Sequence, residues 1–380
     1  MSNLRIPKPG LLLKKLSRKY RGWNSFSSKD TIEAILANYN LGPFQIVDEL
    51  GGGNSGNILI QTANGKKVLK KYFWSLASTI YEHSIIKHLS ERRFILPQIV
   101  PNKHGLSYTE IKNNHYAIYD YIDGFRITDY FIPARFWYRY VSLAADTLGT
   151  YHQLISRFVP SGRKLNGYMP NGVTLWRDIK WHLRILNKYI TYAKINNSGS
   201  ELAEYIFSIK EKIDQGINET GKYFNQSKYR LPILVTHGDY SPKNVLYNKR
   251  RVCAVLDFGD ANLNLRVMDV ARGLATFSKG DNVGICKKFS RTFLRSYTAK
   301  LQLQREEVAL IPDLIQWRHL KNIIWLLFNE MENQFKRKDE INQIVSVQNK
   351  WESILWIKEH AADLKKSFQE VTEEQKDLKP

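Results

Sequence analysis

THGDYSPKNVLYNKRRVCAVLDFGDAN, Thr236 to Asn262, is the stretch on which the reading of this chain turns. It holds Asp239, Asn244, Asp257 and Asp260 on either side of a short apolar run, in a chain with a formal net charge of +21. NVLYN and RVCAVLDF read as two short strands, which would bring both polar ends back to one place. Carboxylates gathered at one point repel each other unless a cation or a set of donors sits among them. The spacing adds to this: Asn244 follows Asp239 by five residues, and Asp257 opens an Asp-Phe-Gly triplet.

Phosphoryl transfer asks for this set of groups. It needs a carboxylate to take or orient a hydroxyl proton, and hard oxygen ligands for Mg²⁺. The H-x-D-x-x-x-x-N spacing and the D-F-G triplet are those of a kinase catalytic loop and metal site. Asp239 is the candidate base, and Asn244 and Asp257 are the candidate metal ligands. His237 could touch substrate, or it could orient the loop through hydrogen bonds. A polar turn followed by a strand-end Asp is the plain alternative, and the complete set weighs against it.

A second motif lies far upstream. GGGNSG, Gly51 to Gly56, fits G-x-G-x-x-G. Alone it is a weak signal, and a dinucleotide-binding turn would need strand, turn, helix. Here FQIVDEL, NILIQTA and KKVLKKY alternate apolar and polar residues, with Asn64-Gly65 between the second and third. That is a hairpin pattern. A glycine-rich loop in a hairpin covers phosphates, because backbone N–H groups approach the oxygens with no Cβ in the way. Gly51, Gly53, Asn54, Ser55 and Gly56 are the candidate cover. Strand alternation puts Val68 and Lys70 on one face, with Ile58 expected to join them as an apolar floor for adenine. Lys71 should face the other way. Glu82, on a helix that also carries Ile85, Ile86 and Leu89, is the candidate carboxylate to hold Lys70.

Around these motifs the chain organises simply. DTIE, Asp30 to Glu33, reads as a capping box opening a short helix. Two further strands are expected near Leu106–Ile111 and His115–Tyr121. After Gly124 the pattern becomes helical. It includes a long periodic segment at Phe136–Leu154 and a second capping box, Ser198 with Glu201, before the stripe Leu202, Ile206, Ile209 and Ile213. Helices resume from about Val267 to Leu364, and a polar, frayed tail follows. The expected class is α+β: a basic arm over 1–29, an antiparallel-sheet lobe over 30–122, a large helical lobe over 123–366, and a tail over 367–380, with a cleft between the lobes.

Composition bounds the rest. The chain has 380 residues, 43% of them hydrophobic, with 21 Tyr, 17 Phe and 9 Trp, which excludes a disordered class. Cys253 and Cys286 lack partners at metal-ligand spacing, so a reducing cytoplasm is the expected location. The longest strongly apolar run, Ile323–Phe328, is too short to span a bilayer. Before Asp30 there is no acidic residue, yet Arg5, Lys8, Lys14, Lys15, Arg18, Lys19, Arg21 and Lys29 are present. Such an arm either contacts an anionic surface or is a solvated extension.

HGDYSPKN with LDFGD resembles the aminoglycoside phosphotransferase and choline kinase superfamily, whose loop begins His-Gly-Asp. YNLGPFQIVDELGGGNSGNILIQTANGKKVLKKY, IYEHSIIKHL, IYDYIDG and LGTYHQL share that likeness, which spans roughly residues 30–330 and extends to the homoserine-kinase-II-like and spore-coat-kinase-like branch. The resemblance implies a bilobal protein-kinase-like fold that moves the γ-phosphate of ATP to a hydroxyl. It implies Asp239 as base, Asn244 and Asp257 as Mg²⁺ ligands, and Lys70 with Glu82 at the phosphates. Adenine would meet the backbone at about Asp120–Ile122, and Asp269 would brace the catalytic loop. Gly238 replaces the Arg of protein kinases, and the chain runs almost directly from Asp257 to a helix at Val267, which argues against a phospho-regulated protein kinase. Three classes stay open: a small-molecule kinase, an enzyme acting on a protein or glycan hydroxyl, and a non-catalytic protein of this fold. The acceptor is open too. Trp317, Trp325, Glu330 and Glu332 could line a pocket for a cation or pack the core, while the net charge leans towards an anionic or amphoteric acceptor.

Overall fold

The chain divides into two compact units. The first takes residues 1–91, 96–123 and 160–163; the second takes 92–95, 124–159 and 164–380. In the computed structural model the described residues are 29–50, 55–130, 132–162, 175–196, 199–222, 231–280, 283–332 and 340–377. Residues 1–28 of the basic arm, the loop residues Gly51, Gly53 and Asn54, and Ser198 lie outside them.

The first unit is built on a six-stranded sheet. Its strands are β1 (Phe44–Glu49), β2 (Ser55–Thr62), β3 (Gly65–Tyr72), β4 (Ile99–Val100), β5 (Thr109–Ile111) and β6 (Asn114–Asp120). The order is β1-β2-β3-β6-β4, with β5 also on β6, and every pairing is antiparallel. Gly65 turns the β2–β3 hairpin at φ +92°, a conformation only glycine adopts freely. Helix α1 (Lys29–Leu36) covers one sheet face: Ile32, Ile35 and Leu36 pack with Ile58, Ile60, Leu69, Tyr116 and Ile118. Helix α2 (Leu76–Glu91) reaches Lys70, the neighbour of Leu69 on β3, and so serves the opposite face.

Two expectations change here. Ile58 pairs with Leu69, whereas Leu59 pairs with Val68 and Asn57 with Lys70. Directly opposed residues share a face, so Ile58 lies under α1 and Leu59 takes the place expected of it. The α1 start also shifts. The helix includes Lys29, which puts Asp30 in the first turn rather than at the cap.

The second unit carries two small antiparallel ladders, β7 (Ile233–Thr236) with β10 (Asn262–Leu265) and β8 (Val245–Tyr247) with β9 (Val252–Val255). Its described helices are α3 (Ala134–Ile155), α4 (Leu175–Asn196), α5 (Glu201–Lys222), α6 (Arg266–Phe277), α7 (Lys287–Lys300), α8 (Arg305–Met331), α9 (Glu340–Glu359) and α10 (Ala361–Asp377). Helix α8 is the hub and packs against α4, α5, α6, α9 and α10. After Glu306 its residues are buried or half-buried on every side, as the middle helix of several neighbours must be, although polar side chains such as Asp313, Arg318 and His319 are among them. Trp317 on α8 is fully buried, so it packs the core rather than lining a pocket.

At α5, Ser200 Oγ accepts from the Ala203 N–H at 3.1 Å, so the cap sits nearer the helix than the Ser198 reading had it. The tail reading is also corrected. α10 runs to Asp377, because Leu364, Phe368 and Val371 recur at helical spacing and are buried. No helix among the described residues is long and apolar enough to cross a membrane, and Cys253 and Cys286 are free thiols.

Candidate active site

The ladders bring the two halves of the Thr236–Asn262 stretch together. On β7–β10, Thr236 pairs with Asn262. On β8–β9, Val245 pairs with Val255, and just beyond the ladder the Leu256 N–H donates to the Asn244 carbonyl at 2.8 Å. Asn244 therefore lies beside the Leu256–Asp257 turn. Asp257 is held at φ 61° and ψ 74°, in the left-handed region. Asp tolerates that region better than most residues, and such positions recur where strain serves a site. Asp257 and Asp260 are exposed.

Gly238 makes the close approach possible. Its φ is +78°, and a Cβ there would lie 2.2 Å from the Asp260 carbonyl oxygen. The arginine that protein kinases carry at this place has no room. Asp269, fully buried on α6, accepts from the His237 N–H at 2.5 Å and the Gly238 N–H at 3.0 Å. His152, also buried, reaches the same carboxylate at 3.3 Å and Tyr297 Oη at 2.7 Å. His237 is itself fully buried. Its Nε2 donates to the Leu256 carbonyl at 3.0 Å, while Nδ1 accepts from the Asp239 N–H at 3.2 Å. Burial pushes its pKa down and keeps it neutral. Both ring nitrogens are thus engaged within the protein, one on the Leu256 carbonyl and one on the Asp239 N–H, which is the loop-orienting arrangement of the two that the sequence offered.

Asp239 is half-buried and doubly held. Asn244 Nδ2 donates to its Oδ2 at 3.0 Å and to its backbone oxygen at 2.9 Å. Arg272 Nη2 donates to Oδ1. Arg272 escaped the sequence reading, although a signal was there. It stands three residues after Asp269 on α6, and residues so spaced share a helix face. One face of α6 thus braces the backbone of the loop and the carboxylate it presents.

In the first unit, Lys70 Nζ lies 2.9 Å from Glu82 Oε1, and both side chains are nearly shielded from water. Tyr72 Oη hydrogen-bonds His83 Nε2 at 2.9 Å, and His83 Nδ1 meets Ser107 Oγ at 2.8 Å. Burial, then the Lys70 charge, pulls the His83 pKa down to about 3. Val68 is half-buried on the Lys70 face. Lys71, on the other face, lies 5.5 Å from the Phe73 ring. Asp120 accepts from Lys67 Nζ at 2.6 Å, and its N–H goes to Gln98. The Tyr121 N–H goes to Lys66, and among the described residues the Ile122 N–H makes no backbone hydrogen bond. Ser55 and Gly56 begin β2, opposite Tyr72 and Lys71.

The family model described as "Phosphotransferase enzyme family" matches residues 47–310. Solved structures share the fold at low identity. An aminoglycoside phosphotransferase from Alicyclobacillus acidocaldarius is 15% identical with a TM-score of 0.60, covering 89% of this chain and 96% of that one. The amicoumacin kinase solved with AMP-PNP, Ca²⁺ and Ami is 15% identical with a TM-score of 0.61, over 92% and 95%. A microcompartment-associated aminopropanol kinase is 12% identical with a TM-score of 0.62, over 89% and 99%. The likeness shows an α+β, protein-kinase-like fold. No curated protein matches the chain in sequence closely enough to count as a relative.

Proposed function

Because the chain belongs to the phosphotransferase enzyme family, we propose that it moves the γ-phosphate of ATP to a hydroxyl of a small molecule, with Asp239 as the acceptor-side base. The observation that carries this reading is the Asp239–Asn244–Asp257 array. Two ladders and a buried brace bring these three residues near one another along the backbone, with Asn244 hydrogen-bonded to Asp239 and its carbonyl to the Leu256 N–H beside Asp257. The amicoumacin kinase of the same fold, solved with AMP-PNP and Ca²⁺, supports the nucleotide part.

The residues fit a magnesium ion on their own chemistry. Asn244 spends Nδ2 on Asp239, and its Oδ1 has no hydrogen-bond partner among the described residues. Oδ1 is the hard donor that Mg²⁺ takes. Asp257 adds an exposed carboxylate. Mg²⁺ is commonly held by one or two such groups together with substrate phosphates and water. Among the described residues no group of three or more His, Cys, Asp or Glu could hold a metal by itself, so on this reading phosphates and water would complete the coordination.

Bound MgATP supplies the phosphoryl group and offsets the charge on it. The rest is positioning. Glu82 fixes Lys70 Nζ as a phosphate donor. Arg272 and Asn244 fix the Asp239 carboxylate, whose remaining lone pairs can accept the acceptor O–H. The proton passes to Asp239 as the hydroxyl oxygen bonds to phosphorus and ADP leaves. We assign nucleotide binding to the sheet unit, and the metal and acceptor groups to the helical unit. The experiment is a thermal shift with ATP and Mg²⁺, followed by ADP release across a panel of hydroxyl compounds. A chain that neither binds ATP nor releases ADP would sink the reading.

A further inference from the structure

Helix α8 packs against α6 and α9, and around this packing the second unit gathers cations of which the proposed transfer uses only Arg272. Arg318 on α8 makes no hydrogen bond or ion pair among the described residues, and its Nε is buried without a partner. His319 Nδ1 is buried and unpartnered in the same way. Arg272 on α6 spends one nitrogen on Asp239, while its Nε is again buried and unpartnered. Lys350 on α9 donates only to Ser346, one turn back on its own helix. Carboxylates elsewhere in this unit cap their cations, as Glu307 caps Arg266 and Asp313 caps Lys365.

These groups act on one another. Burial, then Arg318, Lys279 and Lys243, lower the Lys350 pKa to about 8. Burial, then Arg318, Lys350 and Lys279, lower that of His319 to about 3. Burial and Arg318 act against the charge on Arg272. Every neighbour that shifts Lys350 is itself a base. Like charges brought together out of water are costly unless an opposite charge joins them. An unpaired guanidinium is a fork suited to two oxygens of a phosphate, sulfate or carboxylate. Among the described residues the one carboxylate paired with this set is Asp239, through Arg272.

Taking the transfer reading above as its premise, we propose that the acceptor is an anionic hydroxyl compound, such as a sugar or polyol bearing a phosphate or carboxylate. Arg318 and Lys350 hold the anion, and Arg272 links that anchor to Asp239, which faces the hydroxyl. The site then selects against the amino sugars and amino alcohols that cationic-acceptor kinases take.

The test uses the full chain and inorganic sulfate as the probe, at constant ionic strength set with sodium chloride. Calorimetry should find saturable sulfate binding in the wild type and also in Lys70→Met, where the nucleotide-phosphate ligand is gone. Arg318→Gln and Lys350→Gln should each weaken it at least about ten-fold, the scale of one lost charge-assisted contact. Two arms guard against a variant that fails to fold. One is sulfate binding by the wild type. The other is ADP release by the wild type with matched neutral, phosphorylated, carboxylated and amino forms of the same polyols, where the anionic forms should lead. Absence of saturable sulfate binding, undiminished binding in folded Arg318→Gln, or preference for the amino forms overturns the proposal. Failure of the transfer reading looks different, because the wild type would then bind no MgATP whatever it does with sulfate.

Discussion

Lys70–Glu82 and Arg272–Asp239 are both ion pairs at candidate functional positions, yet they are built in opposite ways. The first is closed and dry, with side chains 10% and 5% exposed, and it joins a strand to the helix that follows it. The second is wetter, at 26% and 28%, and is one link in a network spanning the 237–244 loop, α6 and the cations beyond. A closed pair presets one ammonium and stores its cost in stability. An open network leaves lone pairs and charges to be completed by ligands. On the proposed reading, the pair assigned to the nucleotide is complete in itself, while the network assigned to the acceptor still carries unpaired donors at Arg318 and Arg272 Nε.

Mutations that strike each half separately break or sharpen this contrast. Asp239→Asn should give the largest effect, a fall in turnover of about 10²–10⁴-fold with ATP affinity nearly unchanged. Turnover can be followed as ADP release with any acceptor the panel yields, and a near wild-type kcat would remove Asp239 from its role. Lys70→Met should lower kcat/KM by about 1.5–3 kcal/mol in transition-state terms. Since it also strands Glu82 as a buried unpaired charge, stability should drop by about 3–5 kcal/mol. Adding Glu82→Leu should restore much of that stability in denaturant melts without restoring turnover. Equal recovery of both would mean that the pair is only structural.

Acidification should reveal the closed half as well. His83 is depressed to about 3 in the folded chain against about 6.5 unfolded. The unfolded chain therefore binds the extra proton first. Its contribution to stability is full above pH 6.5 and is lost as pH falls from there towards 3. At pH 5 the loss from this one residue is about 2 kcal/mol. In His83→Gln the dependence of stability on pH over that window should flatten, and an unchanged slope would contradict the assignment. Lys71→Met should be the mildest, under about 0.5 kcal/mol in kcat/KM. If it proves the more damaging of the two lysine variants, β3 is out of register by one residue.

How much of this could be read from sequence depends on how local each signal was. The β2–β3 hairpin, α2 and the choice of Lys70 over Lys71 rest on periodicity within a few residues, and the strands and helix form there. The β8–β9 pairing was legible for the same reason. Ile58 was misplaced because a face depends on register across the hairpin, which periodicity within one strand does not fix. α10 was missed because its apolar stripe, Leu364, Phe368 and Val371, is thin among charges and gains its burial mainly from α7 and α8. Sequence could not separate the two options for His237, because the bonds of its ring nitrogens run to Leu256, nineteen residues away, and to the Asp239 backbone. Arg318, Lys350 and Arg272 lie on three helices, so nothing in a linear reading placed them together.

The central claim is a magnesium-dependent nucleotide site completed by Asn244 and Asp257, and calorimetry of ATP binding with and without Mg²⁺ tests it most directly. The account predicts that the wild type gains affinity when Mg²⁺ is added and that Asp257→Ala loses this gain altogether. If Asp257→Ala still shows the wild-type gain on adding Mg²⁺, the metal assignment is wrong and the Asp239–Asn244–Asp257 array must serve another chemistry.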